Sequence, residues 1–141
     1  MTTIHTTPVI WVAMRTPNAS SALSERIQSF AEAHSLTDVK TESGRVRHAI
    51  GQHASAWLVV DSNSDLAADL KTFANACADV NDCFRCLVIG DSLEEGWPNE
   101  TIHLPAHALT TTILDRLRLE THALRIQSRR NRTLNQMRQR P

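Results

Sequence analysis

The sequence predicts an α/β chain built on a five-stranded, parallel, doubly wound sheet, and three observations predict it. Val9–Met14 and Ala56–Val60 are short continuous apolar runs, and Phe84–Ile89 is a third strong run broken only by Arg85, the pattern of strands buried on both faces. The stretches between them carry apolar residues at helical spacing. The connections are short, so strands and helices alternate as they do when crossover helices cover a parallel sheet.

The elements follow in order. Pro8 leads into the first strand, and Arg15-Thr16-Pro17-Asn18 breaks it. A helix is predicted from about Ser20 to His34, with Leu23, Ile27, Phe30, Ala31 and His34 on one side and Ser20, Ser21, Ser24 and Glu25 as capping groups near its start. Val39–Glu42 reads as a short polar edge strand, and Gly44 opens a second helix bearing Val46, Ala49 and Ile50 that ends near Gly51–His53. The run Ala56–Val60 terminates in Asp61. Ser62-Asn63-Ser64-Asp65 then supplies a turn and a cap for a helix carrying Leu66, Leu70, Phe73, Ala74 and Cys77. Phe84–Ile89 closes on Gly90-Asp91. The stretch Ser92–Glu100 holds Gly96, Trp97 and Pro98 and has room for a helical turn or two at most. Thr101–Leu104 is a short last strand stopped by Pro105, and a long helix without Gly or Pro follows from about His107. Five strands suit a flavodoxin-like order.

The length of 141 residues suits one domain with a core that needs no disulfide or metal. Residues 1–7 are expected to be a disordered N-terminus, 8–122 the domain, and 123–141 a helical linker or coiled-coil extension. The start carries no positively charged segment ahead of an apolar one, so no signal peptide is expected. No apolar run could cross a bilayer, and the odd set Cys77, Cys83 and Cys86 suits a reducing cytoplasm. Cys77 and Cys86 read as buried thiols in the core, which argues against a zinc site.

Charge is zero overall, with 15 Lys+Arg against 15 Asp+Glu, which argues against a uniformly basic nucleic-acid coat. The balance is uneven. Asp115–Pro141 holds eight Arg and two acidic residues, whereas Met1–Leu114 holds seven basic and thirteen acidic ones. The tail arginines, Arg125, Arg129, Arg130, Arg132, Arg138 and Arg140, spread around the helix without interleaved aromatics. They read as a solvated face or a contact with an acidic neighbour, not as direct nucleic-acid readers.

Ligands of open α/β sheets gather beyond the C-terminal strand ends. That edge is predicted to hold Met14, Arg15, Asp61, Gly90, Asp91 and Leu104. Arg15-Thr16-Pro17-Asn18 has no glycine, so neither a dinucleotide nor a P-loop site is expected there.

In this layout, with Asp61 ending the third strand and Leu104-Pro105 following the fifth, the stretch Val9–Leu124 resembles a CheY-like receiver domain of bacterial response regulators. In that family the corresponding Asp accepts phosphate, an acidic pair after strand one holds Mg²⁺, a hydroxyl residue ends strand four, and a Lys precedes the Pro. Here Met14-Arg15, Gly90 and Leu104 occupy those places. Phosphoryl transfer to a carboxylate needs a cation to offset charge on the incoming oxygens, and a hard cation needs oxygen ligands. The resemblance therefore implies a degenerate receiver, or pseudo-receiver, that is not an enzyme and has no metal or cofactor. The competing readings are a phosphoacceptor at Asp61, with Asp91 as a stray ligand, and a small-ligand sensor at the strand-end pocket.

In the terminal helix, Leu109, Ile113, Leu117 and Leu124 mark the face expected to pack on the sheet. Leu117, Leu124 and Leu134 also fit a weak heptad seam, so a homodimer through this helix is expected. Receivers joined to sigma-54-dependent transcription regulators of the NtrC/FleQ type, or to cyclic-nucleotide synthases, use such a helix as a connector. The resemblance thus implies an output domain, an AAA+ ATPase or a synthase, following this chain. Thr121-His122-Ala123-Leu124-Arg125 echoes a phosphotransfer-histidine pattern, although an ordinary surface His is the simpler reading.

Overall fold

The structure, a computed structural model, describes residues 5–62 and 67–138. Its strands are β1 (Val9–Ala13), β2 (Glu32–Ser35), β3 (Ala56–Asp61), β4 (Phe84–Ile89) and β5 (Ile102–Leu104). Its helices are α1 (Pro17–Ile27), α2 (Val39–Gly51), α3 (Ala67–Val80) and α4 (Thr110–Arg138). The strands form one parallel sheet in the order β2-β1-β3-β4-β5, the doubly wound flavodoxin/CheY-like arrangement. The turn and cap expected at Asn63–Asp65, the helix residue Leu66, and Arg140 lie outside the described residues.

The apolar runs are continuous because both sheet faces are covered. Val9, Trp11 and Ala13 of β1, with Leu58 and Val60 of β3, pack on Val46, Ile50, Leu70 and Phe73 of α2 and α3. Their alternates Ile10, Val12, Trp57 and Val59 pack on Leu23, Ile27, Ile113, Leu117 and Leu124 of α1 and α4. Cys77 and Cys86 sit in the first layer and Cys83 in the second, all three as free buried thiols.

The second strand corrects the sequence reading. Helix α1 ends at Ile27, not His34, and Val39–Glu42 is the first turn of α2, not a strand. Glu32 N–H bonds to Pro8 O at 2.9 Å and Leu36 N–H to Val12 O at 2.8 Å, which draws Glu32–Ser35 onto the open side of β1. Only Ala33 of that strand is fully buried, while His34 lies against Trp11 with ring centroids 4.7 Å apart. Pairing with β1 thus overrides the helix propensity of Glu and Ala. Asp38 caps α2 by accepting from Thr41 N–H at 3.3 Å, and the Glu42 carboxylate reaches back to the N–H groups of Thr37 and Asp38. Gly44, expected to open this helix, lies inside it.

The N-terminal sheet edge is stapled by side chains. Asn81 donates to Ile50 O and His53 O, each at 2.9 Å, and accepts from Cys83 N–H at 2.8 Å. His5, expected within a disordered terminus, bridges to His53: its N–H bonds to Gln52 O and its carbonyl accepts from Ala54 N–H. Glu32 faces this group, 2.9 Å from His34 and 3.7 Å from His53.

Helix α4 is one unbroken element of 29 residues. It crosses Thr121–Leu124, where the sequence placed the domain's end, without interruption. Contact with the body continues beyond that point: Ser128 donates to Ala54 O at 3.1 Å, and Asn131 Nδ2 lies 3.8 Å from Cys83 Sγ. Leu109, expected on the packing face, precedes the helix and is 70% exposed.

Candidate functional site

Each connection at the C-terminal strand edge is fixed by its own hydrogen bonds. After β1, Met14 N–H bonds to the buried hydroxyl of Ser20 at 2.8 Å, and Thr16 caps α1 by accepting from Ala19 N–H. Met14 is half-buried and Arg15 is exposed, so the loop presents one cation and no carboxylate. Asp61 is half-buried at the end of β3, paired in register with Ile89, and Ser62 N–H continues the ladder to Ile89 O.

Gly90 N–H bonds to Leu104 O at 3.0 Å, while His103 Nε2–H donates to Gly90 O at 2.7 Å. The Ser62 side chain fills the space beside Gly90 so closely that a β-carbon there would lie 2.9 Å from Ser62 Cβ and overlap Ser62 Oγ. A hydroxyl therefore reaches the end of β4, but it comes from the residue that follows β3. Leu104 is buried in the sheet, and Asp91 is exposed.

These residues do not share one cavity. Met14 and Arg15, with Ser20, Leu36 and Leu70, line a hollow of about 80 Å³ beside α1. Ser62 and Asp91, with Lys71, Ser92, Glu94 and Trp97, line another of about 210 Å³ beside α3. Lys71 is the residue that sequence reasoning missed: it stands on α3, whereas the family's lysine follows the sheet's last strand. Its Nζ donates to Glu94 at 3.1 Å and lies 5.9 Å from the Trp97 ring centre, so its charge is already matched. Among the described residues, no group of three or more His, Cys, Asp or Glu stands close enough to hold a metal ion. Among the described residues the edge thus offers the Ser62 hydroxyl, a lysine paired with Glu94, and the carboxylates of Asp61 and Asp91.

The loop after β4 forms no helix, as its Gly and Pro content predicts. Gly96 adopts a left-handed φ of 98°, Asn75 Nδ2–H holds Gly96 O at 2.7 Å, and Trp97 folds back against the core.

The three leucines proposed for a helix seam part company. Leu117 and Leu124 lie in the domain's own core at 0% and 4% exposure, because the helix must close the sheet; only Leu134 is exposed. Opposite the buried face runs a second apolar stripe, Leu119, Ile126 and Met137, all exposed; the sequence reading missed Leu119 and counted Ile126 towards the packing face. Spacings of 7 and 11 residues put these on one helix face, and that periodicity was the available signal. His122 is exposed.

Burial pushes the Cys77 thiol up to about 12 and the Cys86 thiol higher still, which leaves both inert as ligands or nucleophiles at neutral pH. No helix among the described residues is long and apolar enough to cross a membrane.

No family model and no curated protein matches the sequence. Among solved structures, a protein of Burkholderia pseudomallei named as pilus assembly-related superposes with a TM-score of 0.58, at 10% identity, over 88% of this chain and 93% of that one. A Burkholderia thailandensis protein named as the pilus assembly protein CpaE does so with a TM-score of 0.54, at 11% identity, over 81% of this chain and 98% of that one. At such identities the likeness is one of fold, and this chain shares its doubly wound α/β architecture with two bacterial proteins named for pilus assembly.

Proposed function

We propose that this chain is a receiver-like regulatory domain that works by protein–protein contact and without phosphotransfer, with α4 as the element that engages the partner. One observation carries the reading. Asp61 keeps the acceptor's place at the end of β3, while exposed Arg15, Gly90 and buried Leu104 stand where the chemistry needs acids, a hydroxyl and a lysine. Lys71, which lines the hollow beside Ser62 and Asp91, is paired with Glu94. Positioning and charge neutralisation supply nearly all the catalysis of phosphoryl transfer, so an edge without them is a scaffold.

The partner is another copy of the chain or a component of an assembly machine. The names of the two structural neighbours favour pilus assembly; they lend nothing to a sigma-54-type transcription regulator or to a cyclic-nucleotide synthase. The test is incubation with acetyl phosphate, or with beryllofluoride and Mg²⁺. The expected result is no mass gain and no resonance shift around Asp61. A change that disappears in Asp61→Asn overturns the reading in favour of a working phosphoacceptor.

A further inference from the structure

Helix α4 leaves the body at the N-terminal sheet edge. Among the described residues its last hydrogen bond to the body there is Asn131 on Cys83, and it runs on for seven residues to Arg138, about 10 Å at 1.5 Å per residue. This projecting end is basic and apolar at once. Arg138 is exposed, as are Arg129 and Arg130 just before Asn131, and Leu134 and Met137, three residues apart and therefore on one side, are 51% and 62% exposed.

Beside the exit point lies a corner of the opposite character. Helix α3 ends there with exposed Asp79 and exposed Val80, and Asp82 follows directly. A helix C-terminus carries the negative end of the macrodipole and favours cations, yet the last turn of α3 has no basic residue and two acids crowd it. Among the described residues neither Asp79 nor Asp82 enters an ion pair. The cation beside them, Arg85, is occupied with Glu100 at 2.8 Å and with the carbonyls of Asp82 and Phe84. The body thus has an anionic corner with an exposed valine, next in sequence to the Cys83 that Asn131 touches, and the helix beyond Asn131 carries exposed Arg138 and its own apolar side chains.

Among the described residues, Arg138 makes no ion pair with this corner of its own chain. A second copy removes the mismatch. We propose that the projecting ends of two copies pair antiparallel, with Leu134 and Met137 packed across the twofold axis and Arg138 of each copy set against the Asp79–Val80–Asp82 corner of the other. Antiparallel pairing is selected by charge. Parallel tails would stack arginine on arginine and leave both corners bare, whereas antiparallel tails carry each Arg138 to where the partner's helix emerges, beside its acids. The contact is isologous, as a closed dimer requires. This deepens the reading above, on which it rests, by naming the partner and its orientation. The small apolar area makes the dimer weak and sensitive to salt.

Sedimentation equilibrium of the full chain at about 50 mM and about 500 mM salt tests it, the higher value screening charges beyond a few ångströms. A concentration-dependent dimer is expected at low salt and monomer at high salt. Arg138→Glu and Asp82→Arg should each weaken the dimer by at least about tenfold, and the two together should restore it. All these positions are exposed, so unchanged melting curves will confirm that the variants fold. Orientation is read by mixing Gln136→Cys with Val80→Cys chains and adding a short bis-maleimide, which should link tail to body. A chain that stays monomeric at low salt overturns the proposal, as does a dimer in which no tail-to-body link forms. Neither result touches the absence of phosphotransfer, which acetyl phosphate tests separately.

Discussion

The side chain of Ser62 occupies the space that a β-carbon on Gly90 would need. Gly90→Ala should therefore destabilise the fold by about 1–3 kcal/mol, the usual cost of overpacking a buried site. Ser62→Gly in the same chain should return most of that loss. Urea denaturation of the two single variants and the double variant checks the coupling; additive losses would show that the two residues do not compete for space.

Asn81 joins three segments of the N-terminal sheet edge with two donated bonds and one accepted bond. Asn81→Ala should cost about 1–3 kcal/mol, since the acceptors at Ile50 and His53 lose their donor in a partly buried setting. Asn81→Asp should cost at least as much at neutral pH, because a carboxylate accepts but cannot donate. Thermal melts of both variants read the effect.

Leu117 and Leu134 separate body from tail. Leu117→Ala should destabilise by about 2–5 kcal/mol, as expected for a buried leucine, while Leu134→Ala should stay within about 0.5 kcal/mol. Equal effects would mean that the tail packs on the body.

The hydrogen bond from His34 holds the Glu32 carboxyl below the usual carboxylate range. Partial burial opposes this, and the charges of His53, His34 and His5 assist. A depressed folded-state value makes its contribution present above the ordinary carboxylate pKa and lost as pH falls through the folded one. The stability gap between the parent chain and Glu32→Gln should thus be open near neutrality and close on acidification below pH about 4. Urea midpoints across that range measure it.

Buried Cys77, Cys83 and Cys86 should resist Ellman's reagent in the native chain, and all three thiols should react once urea unfolds it. Fast labelling of Cys83 alone would show that α4 lifts from the sheet near Asn131.

The sheet was legible because strands covered on both faces write themselves as apolar runs, as in Val9–Ala13, Ala56–Val60 and Cys86–Ile89. Edge strand β2 was not. Its single fully buried side chain, Ala33, leaves no periodic mark, and Ala31 and His34 fitted a helical stripe equally well. The capping pattern of Asp38, Thr41 and Glu42 is present in the sequence and was not read, because Val39–Glu42 passed for a short polar edge strand. At the candidate site, Met14, Arg15, Asp61, Gly90, Asp91 and Leu104 fell on the strand-end edge because topology fixes strand ends. Lys71 and Ser62 were missed because they arrive across space, one from α3 and one from the residue that follows the neighbouring strand.

Helix α4 contains no glycine or proline over its 29 residues, and it is gripped at Leu117, Leu124 and Ser128. Such a rod of about 43 Å cannot turn at one end alone. Any event at the sheet that rolls the gripped segment swings Leu134 and Met137 through the same angle, as a shaft carries torque to a coupling. The fold needs no hinge to transmit such a signal, and a glycine pair inserted after Asn131 would act as a slipping clutch.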